Sequence, residues 1–206
     1  MAVYGAKYLR WAQKTAAGVA GTSFPTYGEA VDLGPLVSVA DTITYASARN
    51  YGDNMLQESV DEFQEIGVTA SMTEMPIASA AKVFGAALSA TGSIGYGMED
   101  AAPEGGLGFY TTKLSKDAAT GVQKKFFQGV FYPSLKANRQ GATYNTKGQN
   151  ITFANGQANF VGNAEENGFF QCFSANLDTE EAAKAWVDKM LAGGESALTE
   201  VKKKTA

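Results

Sequence analysis

The chain has 206 residues, 45% of them hydrophobic, which suffices for one core burying roughly 70% of the unfolded surface. Seventeen basic and 21 acidic residues leave a formal charge of -4, which excludes a global positive field that would recruit nucleic acid. With no histidine and one cysteine, nucleophile–histidine pairs, histidine or cysteine-rich metal sites and an intrachain disulfide are excluded as well.

Twenty-three glycines against five prolines, with nine tyrosines and twelve phenylalanines, favour turns and aromatic-faced strands over a helical bundle. The expected class is mainly β, α+β. No apolar run reaches the ~18 residues of a membrane span, and MAVYGAKYLRWAQKT lacks the continuous apolar core of a secretory signal. A soluble protein made in a cytoplasm is expected, and Cys172 reads as a small buried hydrophobe.

From the N-terminus, Lys7 to Ala12 alternates as a strand, with Leu9 and Trp11 on one face and Tyr8 and Arg10 on the other; the Ala-Gly-rich Thr15 to Thr22 then releases the chain. Leu36 to Tyr45 carries Val37, Val39 and Ile43, but Asp41 interrupts the apolar face and points to an edge. Next comes YASARNYGDNMLQESVDE, Tyr45 to Glu62, whose Tyr51-Gly52-Asp53-Asn54 supplies turn chemistry. Its flanks hold few large apolar groups, so this hairpin needs a partner or stays mobile.

Ile66, Val68, Ala70 and Met72 then face one way and Glu65, Gly67, Thr69 and Ser71 the other, the pattern of a half-buried strand. Pro76 suits the first turn of a short helix, with Ala80, Ala81, Phe84 and Leu88 as its apolar stripe. Glycine-rich Ser89 to Leu107, with Pro103, reads as a loop. Strands follow at Gly108 to Thr112 and at Phe126 to Tyr132, the latter apolar on both faces and therefore central or interfacial.

Ala137 to Asn150 is polar and turn-rich. FANGQANF then predicts a hairpin around Asn155-Gly156, returning from Ile151 and Phe153 through Ala158 and Phe160. Phe169, Phe170, Cys172 and Phe173 form another short strand. Asp178 is the expected cap, with Glu181 completing a capping box, for a helix over Glu180 to Leu191 whose apolar face is Ala182, Ala183, Trp186, Val187, Met190 and Leu191; Gly193-Gly194 ends it. VKKKTA at the end reads as a solvated tail.

Little here points to chemistry. Asp53, Glu58, Asp61, Glu62 and Glu65 are hard oxygen ligands in principle, but their spacing matches no calcium loop. ATGSIGYG, residues 90 to 97, follows a helical segment and does not reproduce G-x-G-x-x-G, while EGGLG, residues 104 to 108, lacks the Lys and Ser or Thr of a phosphate loop. Lys113, Lys116, Lys124 and Lys125 surround Asp117 and Gly121 in what reads as an exposed, solubilising turn. No catalytic residue, cofactor or metal is assigned, and assembly through strand edges becomes the stronger class.

The blocks YGDNMLQESVDEFQEIGVTASMTEMP, IASAAKVFGA, EDAAPEGGLGFYTT, KKFFQGVFYPSLKA and YNTKGQNITFANGQANF, in that order over about residues 3 to 162, resemble the major tail tube proteins of long-tailed bacteriophages. The resemblance implies a β-sandwich-like tube domain with a flanking helix, over about residues 1 to 175; the C-terminal helix and polar tail over 176 to 206 extend beyond the part that matches. It further implies six copies to a ring and rings stacked into a tube, through which tape-measure protein and then genome DNA pass without sequence-specific binding. The protein would be found in the virion tail, and in host cytoplasm during assembly, with no membrane partner.

In that family a long hairpin reaches neighbouring subunits, which maps onto an arm at about residues 45 to 58. Tyr45, Tyr51, Asp53, Asn54, Met55 and Glu58 are its candidate contacts. The alternative is a monomeric β-rich binding or adhesin-like domain using the same loop for a ligand.

Overall fold

Strict alternation sets the sheet. From Ile66 to Met72 every second side chain is buried, while Gly67, Thr69 and Ser71 are only half-buried, as the sequence pattern requires. The computed structural model describes residues 2–20, 23–52, 55–116, 121–141, 155–166 and 168–193. Their strands are β1 (Ala2–Ala16), β2 (Phe24–Tyr27), β3 (Val31–Asp32), β4 (Leu36–Gly52), β5 (Met55–Met72), β6 (Ala87–Leu88), β7 (Ile94–Gly95), β8 (Glu104–Lys116), β9 (Gln123–Arg139), β10 (Gly156–Gly162) and β11 (Cys172–Phe173). Helix α1 spans Ile77–Phe84 and α2 spans Glu180–Ala192. The class is mainly β, α+β, as composition led one to expect.

Apart from the small β6–β7 pair, the strands form one antiparallel sheet in the order β2-β1-β8-β9-β10-β5-β4, with β3 beside β1 and β11 beside β9. The sheet curls until β4 approaches β1, so a single sheet makes both layers around the core. Its concave face gathers Leu9 and Trp11 from β1, Ile66 and Val68 from β5, Leu107 from β8, Tyr132 from β9 and Phe160 from β10, all about 1% exposed or less. Burying side chains of this size contributes on the order of 1.5–3 kcal/mol each. Helix α1 closes this core with Ala80, Val83 and Phe84.

The convex face is covered by α2. Ala183, Trp186, Val187, Met190 and Leu191 are buried, mostly against Phe24 and Phe131. Trp186 lies so close to β9 that a Cβ at Gly129 would stand 2.2 Å from its ring, so the helix docks only because that strand position is glycine. β9 thus has apolar side chains on both faces and strands on both sides, the central position its sequence demands. Among the described residues no helix is long and apolar enough to cross a membrane.

Several boundaries move for physical reasons. Pro76 stands one residue before α1, at its N-cap, and the helix stops at Gly85, whose φ of 66° makes a left-handed cap against the backbone of Ala101. Leu88 therefore falls in β6, 47% exposed, outside the apolar stripe. The loop after it ends at Pro103, since β8 starts at Glu104 and its glycines lie flat beneath Trp11 and Phe131. β9 runs on to Arg139 and buries Ala137, which the polar composition had suggested was a turn.

The strand foreseen at Phe169 to Phe173 is only the pair Cys172–Phe173. Thr179, not Asp178, caps α2: its hydroxyl accepts from the Ala182 amide at 3.2 Å, while Asp178 accepts from Lys124 at 2.6 Å. Ala182 is exposed. The first arm of the Asn155-Gly156 hairpin and the C-terminal lysines lie outside the described residues, and β10 begins at Gly156 between β9 and β5.

Candidate assembly surface

The strongest functional feature follows from how far each strand pair runs. β10 pairs with β5 only from Met72 to Ile66, whereas β4 follows β5 from Met72 out to Met55. Beyond Ile43 and Ile66 the sheet has become a two-stranded ribbon, from Thr44–Glu65 to Gly52–Met55, nine residues long on the β4 side and roughly 30 Å at strand rise. An isolated two-stranded ribbon is marginally stable in water. Here Ala46 to Arg49 and Ser59 to Glu62 are exposed, so both faces lack cover in the single chain.

The ribbon's root is fixed by a bulge and an aromatic stack. Thr44 pairs with Glu65 but Tyr45 pairs with Phe63, leaving Gln64 as the extra residue. This slip brings Phe63 onto the core face beside Ile66. Its ring stacks on Phe170 at 4.4 Å and 16°, and Tyr45 meets Phe63 edge-on at 6.3 Å and 86°. Further out, Ser47 Oγ donates to Asp61 on the same face. The opposite face carries Ala46 and Ala48 against Glu62 and Val60.

Of the six residues singled out from sequence, Tyr45 is 53% exposed at the ribbon's root. Tyr51, Met55 and Glu58 take their places on its strands, paired with Leu56, Gly52 and Asn50, while Asp53 and Asn54 lie outside the described residues. Sequence reasoning missed Phe63, Gln64, Val60 and Phe170. One signal was present: the period-2 apolar series 72, 70, 68, 66 breaks parity at Phe63, which marks a bulge.

Two more features adjoin the ribbon. β4 ends the sheet order, and among the described residues it pairs only with β5, so its outer edge presents a row of backbone donors and acceptors. Between that edge at Val37–Asp41 and the N-terminal part of β1 lies a cleft of about 460 Å³ with a mixed lining, floored by Phe109, Val130 and Tyr132 and joined by Asp41, Lys113, Gln128 and Gln171. Val3, Tyr4, Val37 and Phe173 line it while about half exposed. Within it Tyr132 Oη donates to Asp41 at 3.1 Å, and Gln171 Nε2 donates to the same carboxylate at 2.8 Å. Burial, then the Asp41 charge, pushes the Tyr132 hydroxyl above its usual pKa, so it stays a neutral donor.

The Lys113 to Lys125 segment forms the far end of the β8–β9 hairpin. β1 accompanies β8 only to Leu114, so the last pairs, out to Lys116–Gln123, extend past the sheet. Lys116 and Lys125 are exposed, Lys125 over the Phe127 ring at 4.9 Å and Lys124 over Phe126 at 5.2 Å. Cys172 is 2% exposed, and burial pushes its thiol up to about 12. Among the described residues no three His, Cys, Asp or Glu side chains are gathered where they would hold a metal ion. No protein-family model matches the chain, and a search of curated proteins finds no relative.

Proposed function

We propose that this chain is a self-assembling structural subunit, forming hexameric rings that stack into a phage tail tube through which tape-measure protein and then genome DNA pass. The observation that carries this reading is the ribbon: a two-stranded extension about 30 Å long, exposed on both faces at Ala46 to Arg49 and Ser59 to Glu62, and continuous with an open sheet edge. A monomer gains nothing from such an arm and incurs an aggregation hazard from the edge. In a ring, both are satisfied by the neighbouring copy, and closure leaves no free edge. The resemblance of about residues 3 to 162 to tail tube proteins supplies the particular assembly.

In this reading the protein is not an enzyme and needs no cofactor. It acts as a conduit, found in the virion tail, and a chain with no net positive charge supplies no global field that would hold DNA phosphates as they slide past. The cleft of about 460 Å³, with aromatic side chains beside Asp41, Lys113, Gln128 and Gln171, favours one competing reading, a monomeric binding domain that takes a small ligand. Negative-stain micrographs of the concentrated protein separate the two. Rings of six that stack support the tube; single particles at every concentration support the binding domain.

A further inference from the structure

The charge of this molecule is unevenly placed. Residues 44 to 65 hold five acidic residues and one basic residue, Arg49, and so carry a balance equal to the whole chain's -4. The rest of the chain is neutral in sum. One segment departs from that balance in the opposite sense: residues 113 to 125 hold four lysines and one aspartate. Both segments lie at hairpin ends that leave the sheet, the acidic one beyond Ile66 on β5. In the basic one, Lys113 and Lys125 stand at the sheet's margin beside Leu114, while Lys116 and Lys124 lie beyond it, Lys124 being paired with Asp178. Each is the end of a two-stranded projection rather than a patch on a flat wall.

We infer that the acidic ribbon of one copy docks on the lysine-bearing β8–β9 hairpin of a second copy, a head-to-tail contact in which one face of the ribbon, bearing Asp61 or Glu62, meets Lys116 and Lys125. The inference rests on the assembly reading and specifies its contact. Charge decides the symmetry. A two-fold contact of ribbon on ribbon would bring two -4 segments together, and hairpin on hairpin would oppose lysines; both are repelled. Ribbon on hairpin is attractive, and because the two surfaces differ, each copy keeps one of each for the next neighbour. Such a heterologous contact propagates until rotation closes a ring.

Asp61 and Glu62 point to opposite faces of the ribbon, and both are exposed. A lysine hairpin alongside therefore meets an acidic group whichever face it approaches. Lys116 and Lys125 are likewise exposed and lie on the same sheet face as Leu114. Long lysine stems let the ammonium groups reach across while their methylenes cover Val60.

The test uses the full chain with two charge-reversed variants, Asp61→Lys/Glu62→Lys and Lys116→Glu/Lys125→Glu, and the critical concentration for assembly read by sedimentation. Each variant alone is expected to raise it at least tenfold while its thermal melt stays that of the parent. An equimolar mixture of the two should restore it, because copies alternating around an even-membered ring again oppose unlike charges. If the parent assembles and either variant assembles at the parent's concentration, or the mixture stays dispersed, the docking contact is wrong while the tube reading stands. If the parent never assembles, both are overturned.

Discussion

Lys14 and Glu165 show what one side chain does here. The Glu165 carboxylate is 2% exposed and pairs with the Lys14 ammonium, which also reaches Glu104 at 3.4 Å. Burial lowers the lysine pKa, but the hydrogen bond and charge of Glu165 outweigh it, and the net shift is upward. Lys14→Met leaves a buried carboxylate without its counter-charge and should cost about 3–5 kcal/mol in urea unfolding, far more than a surface pair would. Cys172 gives a pH signature. Its thiol ionises near 9.0 when unfolded and at about 12 when folded, so it contributes stability that is complete below pH 9 and lost as pH rises toward 12. In native buffer at pH 8 it should resist thiol reagents and become reactive only on unfolding, as followed by absorbance of the released thiolate dye. The burial of Cys172 was legible because a lone cysteine between phenylalanines has nothing to pair with. The capping role of Thr179 was not, because Asp178 offers an equally good oxygen and only the path of the chain toward Lys124 decides between them.

At the scale of elements, alternation carried most of the information. Ile66 to Met72, Leu9 with Trp11, and both faces of Phe126 to Tyr132 stand where period 2 puts them. Glycine hid β8, because Gly105 and Gly106 erase the apolar pattern that marks a strand, and their reason for being glycine is Trp11, Tyr27 and Phe131 packed above them. The ribbon's existence was legible from its polar flanks and turn residues; its root was not, since the Phe63–Phe170 stack joins residues more than a hundred positions apart. This geometry predicts that the arm is separable. Removing residues between Ala46 and Met55 takes away no pair that β5 makes with β10, so the far-UV circular dichroism should show a folded β protein with a normal melt. In micrographs the same variant should form no tubes. Tubes of normal width from this variant would remove the arm from the assembly contact.

Over the whole molecule, one sheet curls to enclose its own core and leaves its last strand, β4, without a partner beyond β5 among the described residues. Strand order was the least legible property. β1 lies beside β8 and β10 beside β5, pairings that depend on which faces bury together and not on any local pattern. The mainly β class followed from composition, but that two layers arise from a single curled sheet became visible only when the concave core and the α2-covered convex face were both in place. The proposed tube completes this arrangement: an acidic ribbon, an open edge and a lysine hairpin are contacts for neighbours that the single chain lacks. Sedimentation velocity across a wide range of protein concentration tests that claim most directly. The account predicts a slow monomer at low concentration that converts, above a sharp threshold, to rings of about six subunits and then to much larger stacks. A single monomer boundary that does not change with concentration would contradict it.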